Sequence, residues 1–403
     1  MKKHEQLIEE LCPNGVEYHE LGKIAEMRRG TSITKKNVCE GEIPVISGGR
    51  EPAYYCDTFN REGETITVAG SGAGAGYVQY WDRPIFVCDA FSIKGNEQLS
   101  TKYLYYFLTS IQEFIYSTKK GGGVPHVHVS SIEHVQIPVP PLPVQSEIVR
   151  ILDNFTELTA ELTAELTARK KQYEFYRDKL LTISNEQVAM CNLGDICESI
   201  ADGDHMPPPK ADTGIPFITI SNITEQNKID FSNTMFVPHA YYDSLAEKRK
   251  PQKGDILYTV VGSYGIPVCI EEDSEFVFQR HIAILRPKKQ IVKPRYMFHA
   301  MQSSAFKAQA GKTAKGAAQK TIGLAALAAM KMPVPTLDVQ NRLVDVLDNF
   351  DAICSDLNIG LPAEIEARQK QYEFYRDALL TYAATGKIIL TDRQTDRQTD
   401  RQV

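Results

Sequence analysis

Residues 138–181 read PVPPLPVQSEIVRILDNFTELTAELTAELTARKKQYEFYRDKLL. After the proline-rich lead-in, apolar or aromatic residues recur at Ile148, Leu152, Phe155, Leu162, Leu166, Tyr173, Tyr176 and Leu180. With Thr159 and Arg169 in the gaps, the steps alternate between four and three residues, the heptad pattern of a helix with one sticky seam. About 35 helical residues at 1.5 Å each make a rod of roughly 50 Å. The passage returns at 333–380 as PVPTLDVQNRLVDVLDNFDAICSDLNIGLPAEIEARQKQYEFYRDALL. LDNF and QYEFYRD recur letter for letter, and Leu343, Leu347, Phe350, Tyr372 and Tyr375 carry the same seam. A repeat this long outweighs every other organising signal in the chain.

The copies differ in length. Pro138–Phe155 matches Pro333–Phe350 at an offset of 195 residues, whereas Gln172–Asp178 matches Gln371–Asp377 at 199, so the first copy is four residues shorter. That shorter stretch is itself a repeat of TAEL. One such unit lengthens a helix by about 6 Å and rotates its downstream part by about 40°. A rod adjustable in such steps suits a spacer. The second rod contains Gly360 and Pro362. Proline is barred from a helix interior but suits a first turn. A break is therefore expected near 358–362, with the four extra residues absorbed there and the helix resuming through Ile365, Arg368, Tyr372, Tyr375 and Leu379.

The chain has 403 residues, long enough for two or more domains with real cores. MKKHEQLIEELC at the start has no apolar run of signal-peptide kind. The apolar run 322–330 is far too short to cross a bilayer. Eight scattered cysteines without a C-x-x-C pair fit reduced thiols better than a disulfide frame or a zinc site. A cytoplasmic protein, not a membrane protein, is expected. The net charge of −6 argues against nucleic acid as a partner, but its distribution argues the other way. Phe276–Leu337 contains no Asp or Glu and eleven Lys and Arg residues.

Each rod is preceded by a globular region, and the two regions share an order of segments. In the first, IPVISGG (43–49), ETITVAG (64–70), GYVQYW (76–81) and RPIFVCDAFSI (83–93) read as strands, with a helix after them over 101–118. The second repeats this loosely: LGDI (193–196) echoes LGKI (21–24), and KGDILYTVVGSYGIPVCI (253–270) stands where EGETITVAGSGAGAGYVQY stood. The globules have diverged while the rods have not. The boundaries read as a first globule at 1–137, a central helical spacer at 138–185, a second globule at 186–331 and a second helical spacer at 332–390. TDRQTDRQTDRQV (391–403) is a low-complexity tail.

Few motifs carry chemistry. AGSGAGAG (69–76) lacks the lysine and the ensuing helix of a phosphate loop and reads better as a glycine-rich hairpin. His126 and His128 alternate on an expected strand without further ligands for a metal, so a buried or hydrogen-bonded pair is the better reading. No nucleophile elbow occurs. The chain reads as a binder. Its candidates for DNA contact are Arg28, Arg29, Lys35, Lys36, Lys119 and Lys120 in loops of the first globule. Lys312, Lys315 and Lys320 sit in the matching loop of the second, with Arg280 and His281 at a strand edge. The seam tyrosines read as packing between rods.

The alternation of globule and rod, with LDNF and QYEFYRD repeated, TAEL units in the central rod and PVP-x-L-x-x-Q leading into each rod, resembles the specificity subunit of type I restriction–modification enzymes. The resemblance covers nearly the whole chain. It implies an α+β fold: two β-rich target recognition domains separated by two long antiparallel helices in a coiled-coil-like pair, with pseudo-two-fold architecture. Each domain would read one half of a split site in double-stranded DNA, and the helices would set the gap. Two modification subunits, which bind S-adenosylmethionine and methylate adenine, would dock on this frame. Restriction subunits would add ATP- and Mg-dependent translocation and cleavage. The chain itself would carry no catalysis, cofactor or metal. The competing readings are a self-sufficient methyltransferase or nuclease, and a coiled-coil scaffold that never meets DNA.

Overall fold

The computed structural model describes residues 10–12, 15–33, 40–121, 123–182, 188–203, 208–224, 226–316, 319–355 and 360–385. The first copy begins with β1 (Tyr18–Glu20), a helical turn α1 (Leu21–Ile24), β2 (Ala25–Arg29), β3 (Ile43–Ile46) and β4 (Tyr54–Cys56). It continues through β5 (Thr65–Ala69), β6 (Val78–Trp81), β7 (Phe86–Val87) and β8 (Ala90–Gly95). Helices α2 (Thr101–Ser110) and α3 (Gln112–Ser117), strand β9 (Gln136–Pro138) and the 40-residue helix α4 (Leu142–Leu181) complete it.

The second copy opens with β10 (Ala189–Asn192), α5 (Leu193–Ile196), β11 (Cys197–Asp202), β12 (Ile215–Ile218), β13 (Met235–Val237) and α6 (His239–Asp243). Then come β14 (Ile256–Thr259), β15 (Pro267–Cys269), β16 (Val277–Phe278) and β17 (Ile282–Pro287). Helices α7 (Pro294–Gln302), α8 (Ser304–Thr313) and α9 (Leu324–Ala328) precede β18 (Lys331–Val334), α10 (Leu337–Ser355) and α11 (Leu361–Thr385). Among the described residues no helix is long and apolar enough to cross a membrane.

Sheet topology repeats strand for strand. The first copy has an antiparallel sheet β2-β8-β5-β6, a small sheet β4-β3-β7 and a pair β1-β9; the second has β11-β17-β14-β15, β13-β12-β16 and β10-β18. In both small sheets one neighbour pairs in parallel, β3 with β7 and β12 with β16. All five residues of β5, TITVA, are buried, as β-branched residues covered on both faces should be. The expected glycine-rich hairpin is the β5–β6 turn.

Two expectations need correction. The stretch 83–93 is not one strand, because the chain leaves the small sheet after Val87 and joins the large one at Ala90. Strands that change sheets need such a corner, and residues 279–281 make the equivalent one in the second copy. The helix expected over 101–118 breaks at Ile111, whose φ of −103° and ψ of 23° end α2 and start α3.

The interruption expected in the second rod is present. Helix α10 ends at Ser355 and α11 starts at Leu361, with Pro362 in its first turn, whereas α4 runs through unbroken. Residues 356–359 lie outside the described set.

Two compact units result: one combines residues 1–161 with 365–403, and the other is the continuous stretch 162–364, so α4 is shared between them. In the first unit, Val144, Ile148 and Leu152 of α4 share a core with Leu379 and Leu380 of α11, and Phe155 stacks on Tyr375 at 5.3 Å between ring centroids. In the second, Leu180 and Leu181 share a core with Leu343 of α10, and Tyr176 stacks on Phe350 at 5.8 Å. As α4 advances its partner recedes, so each helix pair is antiparallel. The two stacks are one interaction made twice, because LDNF of each copy meets QYEFY of the other.

In each unit the LDNF aspartate ties the globule to the helix pair. In the first unit, Asp153 accepts hydrogen bonds from the Tyr106 hydroxyl (2.5 Å) and Lys102 Nζ (2.8 Å), both on α2. In the second, Asp348 accepts from Arg295 Nη2 (2.6 Å) and His299 Nε2 (2.6 Å) on α7, and the Tyr173 hydroxyl donates to His299 Nδ1 (2.9 Å). Gln145 and Gln340 are fully buried. Gln145 ties the backbone at Ser100, Gln98 and Pro140, and Gln340 repeats this at Lys293, Ile291 and Pro335.

Burial holds the fully enclosed His299 below its ordinary value against the opposing bond to Asp348, with the Arg295 charge adding to the effect. Burial works against the Asp348 charge, yet hydrogen bonds from His299 and Arg295 keep that carboxyl below its usual range. A histidine depressed in the folded state takes up its proton first in the unfolded chain. Its contribution is therefore complete above the ordinary value of 6.5 and declines as pH falls below it. His299→Gln is expected to flatten that decline in denaturant unfolding measured from pH 8 to about pH 5; an unchanged slope would assign the dependence elsewhere.

Candidate nucleic-acid interface

At one end of each large sheet, three segments are laced together by backbone hydrogen bonds. In the first unit Gly70 N donates to Asp89 O (3.0 Å), Gly72 N to Pro125 O (3.0 Å) and Val127 N to Gly70 O (3.0 Å). Lys120 and His126 exchange bonds of 2.9 and 2.8 Å across a glycine-bearing hairpin. In the second unit Val260 N donates to His281 O (2.8 Å), Gly262 N to Lys320 O (3.0 Å) and Ile322 N to Val260 O (2.8 Å). Lys315 and Thr321 exchange bonds of 2.9 and 2.8 Å. The frame is the same twice.

A glycine closes each frame by close approach. A Cβ on Gly30, just after β2, would fall on the Cys88 carbonyl oxygen, and one on Gly203, just after β11, on the Phe278 carbonyl oxygen. These strand ends pass so near the corner between the two sheets that only hydrogen fits.

In the first unit a cleft of about 290 Å³ opens on this frame, lined by Arg29, Ser32, Cys88, Asp89, His126 and His128 among others. Arg29 Nη2 donates to His128 Nδ1 at 3.4 Å, and the two imidazoles lie parallel with centroids 6.0 Å apart. The Ser71 hydroxyl donates to Asp89. Arg61 braces the strand end from behind, donating to the Arg29 carbonyl (2.9 Å) and to Ser92 Oγ (2.7 Å).

The structure redistributes the expected contact residues. Arg28 and Arg29 are the last residues of strand β2 and not of a loop, because they pair with Ser92 and Phe91 of β8. Arg28 forms an exposed ion pair with Glu26, so part of its charge is already met. Lys119 lies 4.1 Å over the Tyr116 ring, and Lys120 is exposed at the hairpin base. Lys35 and Lys36 lie outside the described residues. In the second unit Arg280 is exposed and His281 half-buried at the sheet corner, where burial and then the Arg280 charge lower the imidazole's pKa. Lys315 and Lys320 are exposed on the hairpin, but Lys312 belongs to the last turn of α8, which runs on past Ala308 and Ala310.

His126 and His128 were expected on a strand as a buried or hydrogen-bonded pair. Neither is buried or within a strand, since both are exposed and a 3-10 turn begins just after them, but His128 is hydrogen-bonded, accepting from Arg29. The alternation holds, with Val127 and Val129 toward the core and both imidazoles on the other side, and that side is open. The acid-free run 276–337 is not a single basic face either. Arg286 is paired with Asp255 (2.9 Å), Arg295 with Asp348, and Lys288 Nζ donates to the Asp195 carbonyl (2.8 Å). Acids distant in sequence fold against it. Among the described residues no cluster of His, Cys, Asp or Glu gathers as a metal site.

The seam residues separate into two roles. Ile148, Leu152, Leu343 and Leu347 are buried in the helix–globule or helix–helix cores, and Leu166 and Phe350 join Tyr173 and Leu347 in one cluster. Leu162 is buried as well. Phe155, Tyr176, Phe350 and Tyr375 make the stacks between helices. Tyr173 packs in that interhelix cluster and also meets His299 of the globule, and Tyr372 meets Tyr106.

Residues 13–169 and 185–367 each match the family described as the type I restriction modification DNA specificity domain. A putative type I restriction enzyme specificity subunit of Haemophilus influenzae is 30% identical over 95% of this chain and 100% of its own length. The EcoR124I/EcoR124II specificity subunit of Escherichia coli is 33% identical over 70% of each chain. Among solved structures, the type I restriction–modification S subunit of M. genitalium superposes with a TM-score of 0.55 at 19% identity, covering 92% of this chain and 97% of that one. A chain from a structure of type I R-M complex assembly and conformational transition gives 0.60 at 15% identity, covering 93% and 98%.

Gly30→Ala and Gly203→Ala are each expected to cost about 1–3 kcal/mol in denaturant unfolding, as overpacking does. Gly123→Ala, with nothing within 4 Å of the added carbon, is expected to be neutral.

Proposed function

This chain belongs to the type I restriction–modification DNA specificity family, and we propose that it is the DNA sequence-recognition subunit of such a complex. Each globule reads one half of a bipartite site in double-stranded DNA, and the helices set the distance between the halves. The observation that carries this reading is the duplication itself: one fold and one loop frame occur twice, on helical segments that keep LDNF and QYEFYRD letter for letter while the frames' exposed side chains differ.

Two copies of one modification subunit fit the duplicated helices. Phe175 is 61% exposed and Phe374, its equivalent in the other QYEFYRD, is 41% exposed. Apolar rings kept identical at two exposed places are what two identical partners would need. On this reading S-adenosylmethionine and adenine methylation belong to those partners, ATP and Mg to restriction subunits, and no catalytic step to this chain. Half-buried Lys119 and exposed Lys120, Lys315 and Lys320 supply the charge that holds the phosphate backbone near each frame.

Affinity of the purified chain with its modification partner, measured on cognate and random duplexes over a salt series, is expected to fall linearly on logarithmic axes, by about 0.9 per phosphate contact. Absence of salt-dependent binding would remove DNA recognition from the reading. One further TAEL inserted after Leu166 lengthens α4 by about 6 Å, or at most about two base pairs of DNA. The same two half-sites with a longer gap are expected from methylation mapping, and altered half-sites would contradict the spacer role.

A further inference from the structure

The frame is the same in both units, and the side chains mounted on it differ. The shared hydrogen bonds and packed glycines make Arg29 the counterpart of Asp202, Asp89 of His281, His126 of Thr321, and His128 of Gly323. Packing does not dictate these exchanges, since Arg29, His126, His128 and Thr321 are exposed. The buried neighbours are held constant in kind: Val127 and Ile322 both point inward. Conserved backbone with exchanged polar side chains at its open face is the arrangement needed to read two different sequences from one scaffold.

Building on the reading of the chain as a DNA recogniser, we propose that Arg29, Asp89, His126 and His128 are the base-reading set of the first domain, with Arg29 on a guanine edge. The guanidinium fork matches O6 and N7 of guanine in the major groove, the commonest base-specific contact. His128 positions it: Nδ1 takes a hydrogen from Arg29, which leaves Nε2–H as that ring's donor toward the groove. Asp89, steadied by the Ser71 hydroxyl, has lone pairs left for an exocyclic amine such as N4 of cytosine. The second domain lacks this set. Asp202 is tied to Arg249 at 3.8 Å, and the corner carries Arg280 and His281 instead. Its half-site therefore differs from the first at the position that Arg29 reads.

The test uses the full chain in complex with its modification partner and duplex libraries randomised in each half-site. Arg29→Lys keeps the charge and loses the fork. It is expected to reduce preference at one G·C position of one half-site by about 5- to 150-fold, with the other half-site, random-duplex affinity and salt slope unchanged. Arg29→Ala is expected to lose the same single preference. Full retention of preference in Arg29→Lys overturns the assignment. So does an Arg29→Ala complex weakened equally on every duplex with a slope smaller by about 0.9, because that marks a phosphate contact. Loss of preference throughout the half-site in both variants also overturns it, since a base contact acts at one position. A wild-type complex that does not distinguish cognate from random duplex would instead refute DNA recognition itself.

Discussion

Asp153 and Asp348 are the points at which each globule is tied to its helix pair. Each sits in an LDNF segment whose four residues have separable duties. The leucines, Leu152 and Leu347, are fully buried, a gain of about 1.5–3 kcal/mol each. The aspartates accept from a cation and a second donor on the globule's helix, Lys102 and Tyr106 in one unit, Arg295 and His299 in the other. The phenylalanines stack on a tyrosine supplied by the other copy, a contact worth about 0.5–1.5 kcal/mol beyond the area it covers. Losing the aspartate would leave an enclosed donor without its acceptor in each unit, Tyr106 in one and His299 in the other.

That joint explains why two copies in one chain have diverged so unevenly. QYEFYRD must present one tyrosine to the globule and another to the opposite phenylalanine, and its arginine covers its own first tyrosine at 5.2 Å in one copy and 5.6 Å in the other. Every side chain so engaged is constrained from two directions. On the globules, constraint stops at the backbone frame and the packed glycines. Exposed positions on that frame can change without cost to the fold, and they have.

Legibility in the sequence divides along the same line. The heptad steps, the four-residue difference between copies and the Gly360–Pro362 break were readable because each is set by local geometry. From the Phe155–Tyr375 stack to the Tyr176–Phe350 stack, α4 advances 21 residues while the partner chain recedes 25. The excess of four lies between Phe350 and Tyr375, the stretch that holds Pro362. Positions decided by contacts distant in sequence were not readable in this way. Asp255 neutralises Arg286 and Asp348 neutralises Arg295 across 31 and 53 residues, so an acid-free run in sequence is not an acid-free face in space. Lys312 reads as loop beside glycine, yet the surrounding alanines favour helix enough to carry α8 past it.

The histidine pair shows where the functional signal lay. His126 and His128 flank one buried valine, and nothing local separates an inward-facing pair from an outward-facing one, since strand alternation fits both registers. The decision is made by the Gly70–Val127 hydrogen bond, which fixes Val127 against the core and turns both imidazoles outward. The equivalent bond from Ile322 to Val260 turns Thr321 and Gly323 to the same face of the second frame. A scaffold that fixes which residues face outward while leaving their identity free separates stability from specificity. New side chains can be mounted there without renegotiating the clamp at Asp153 or Asp348.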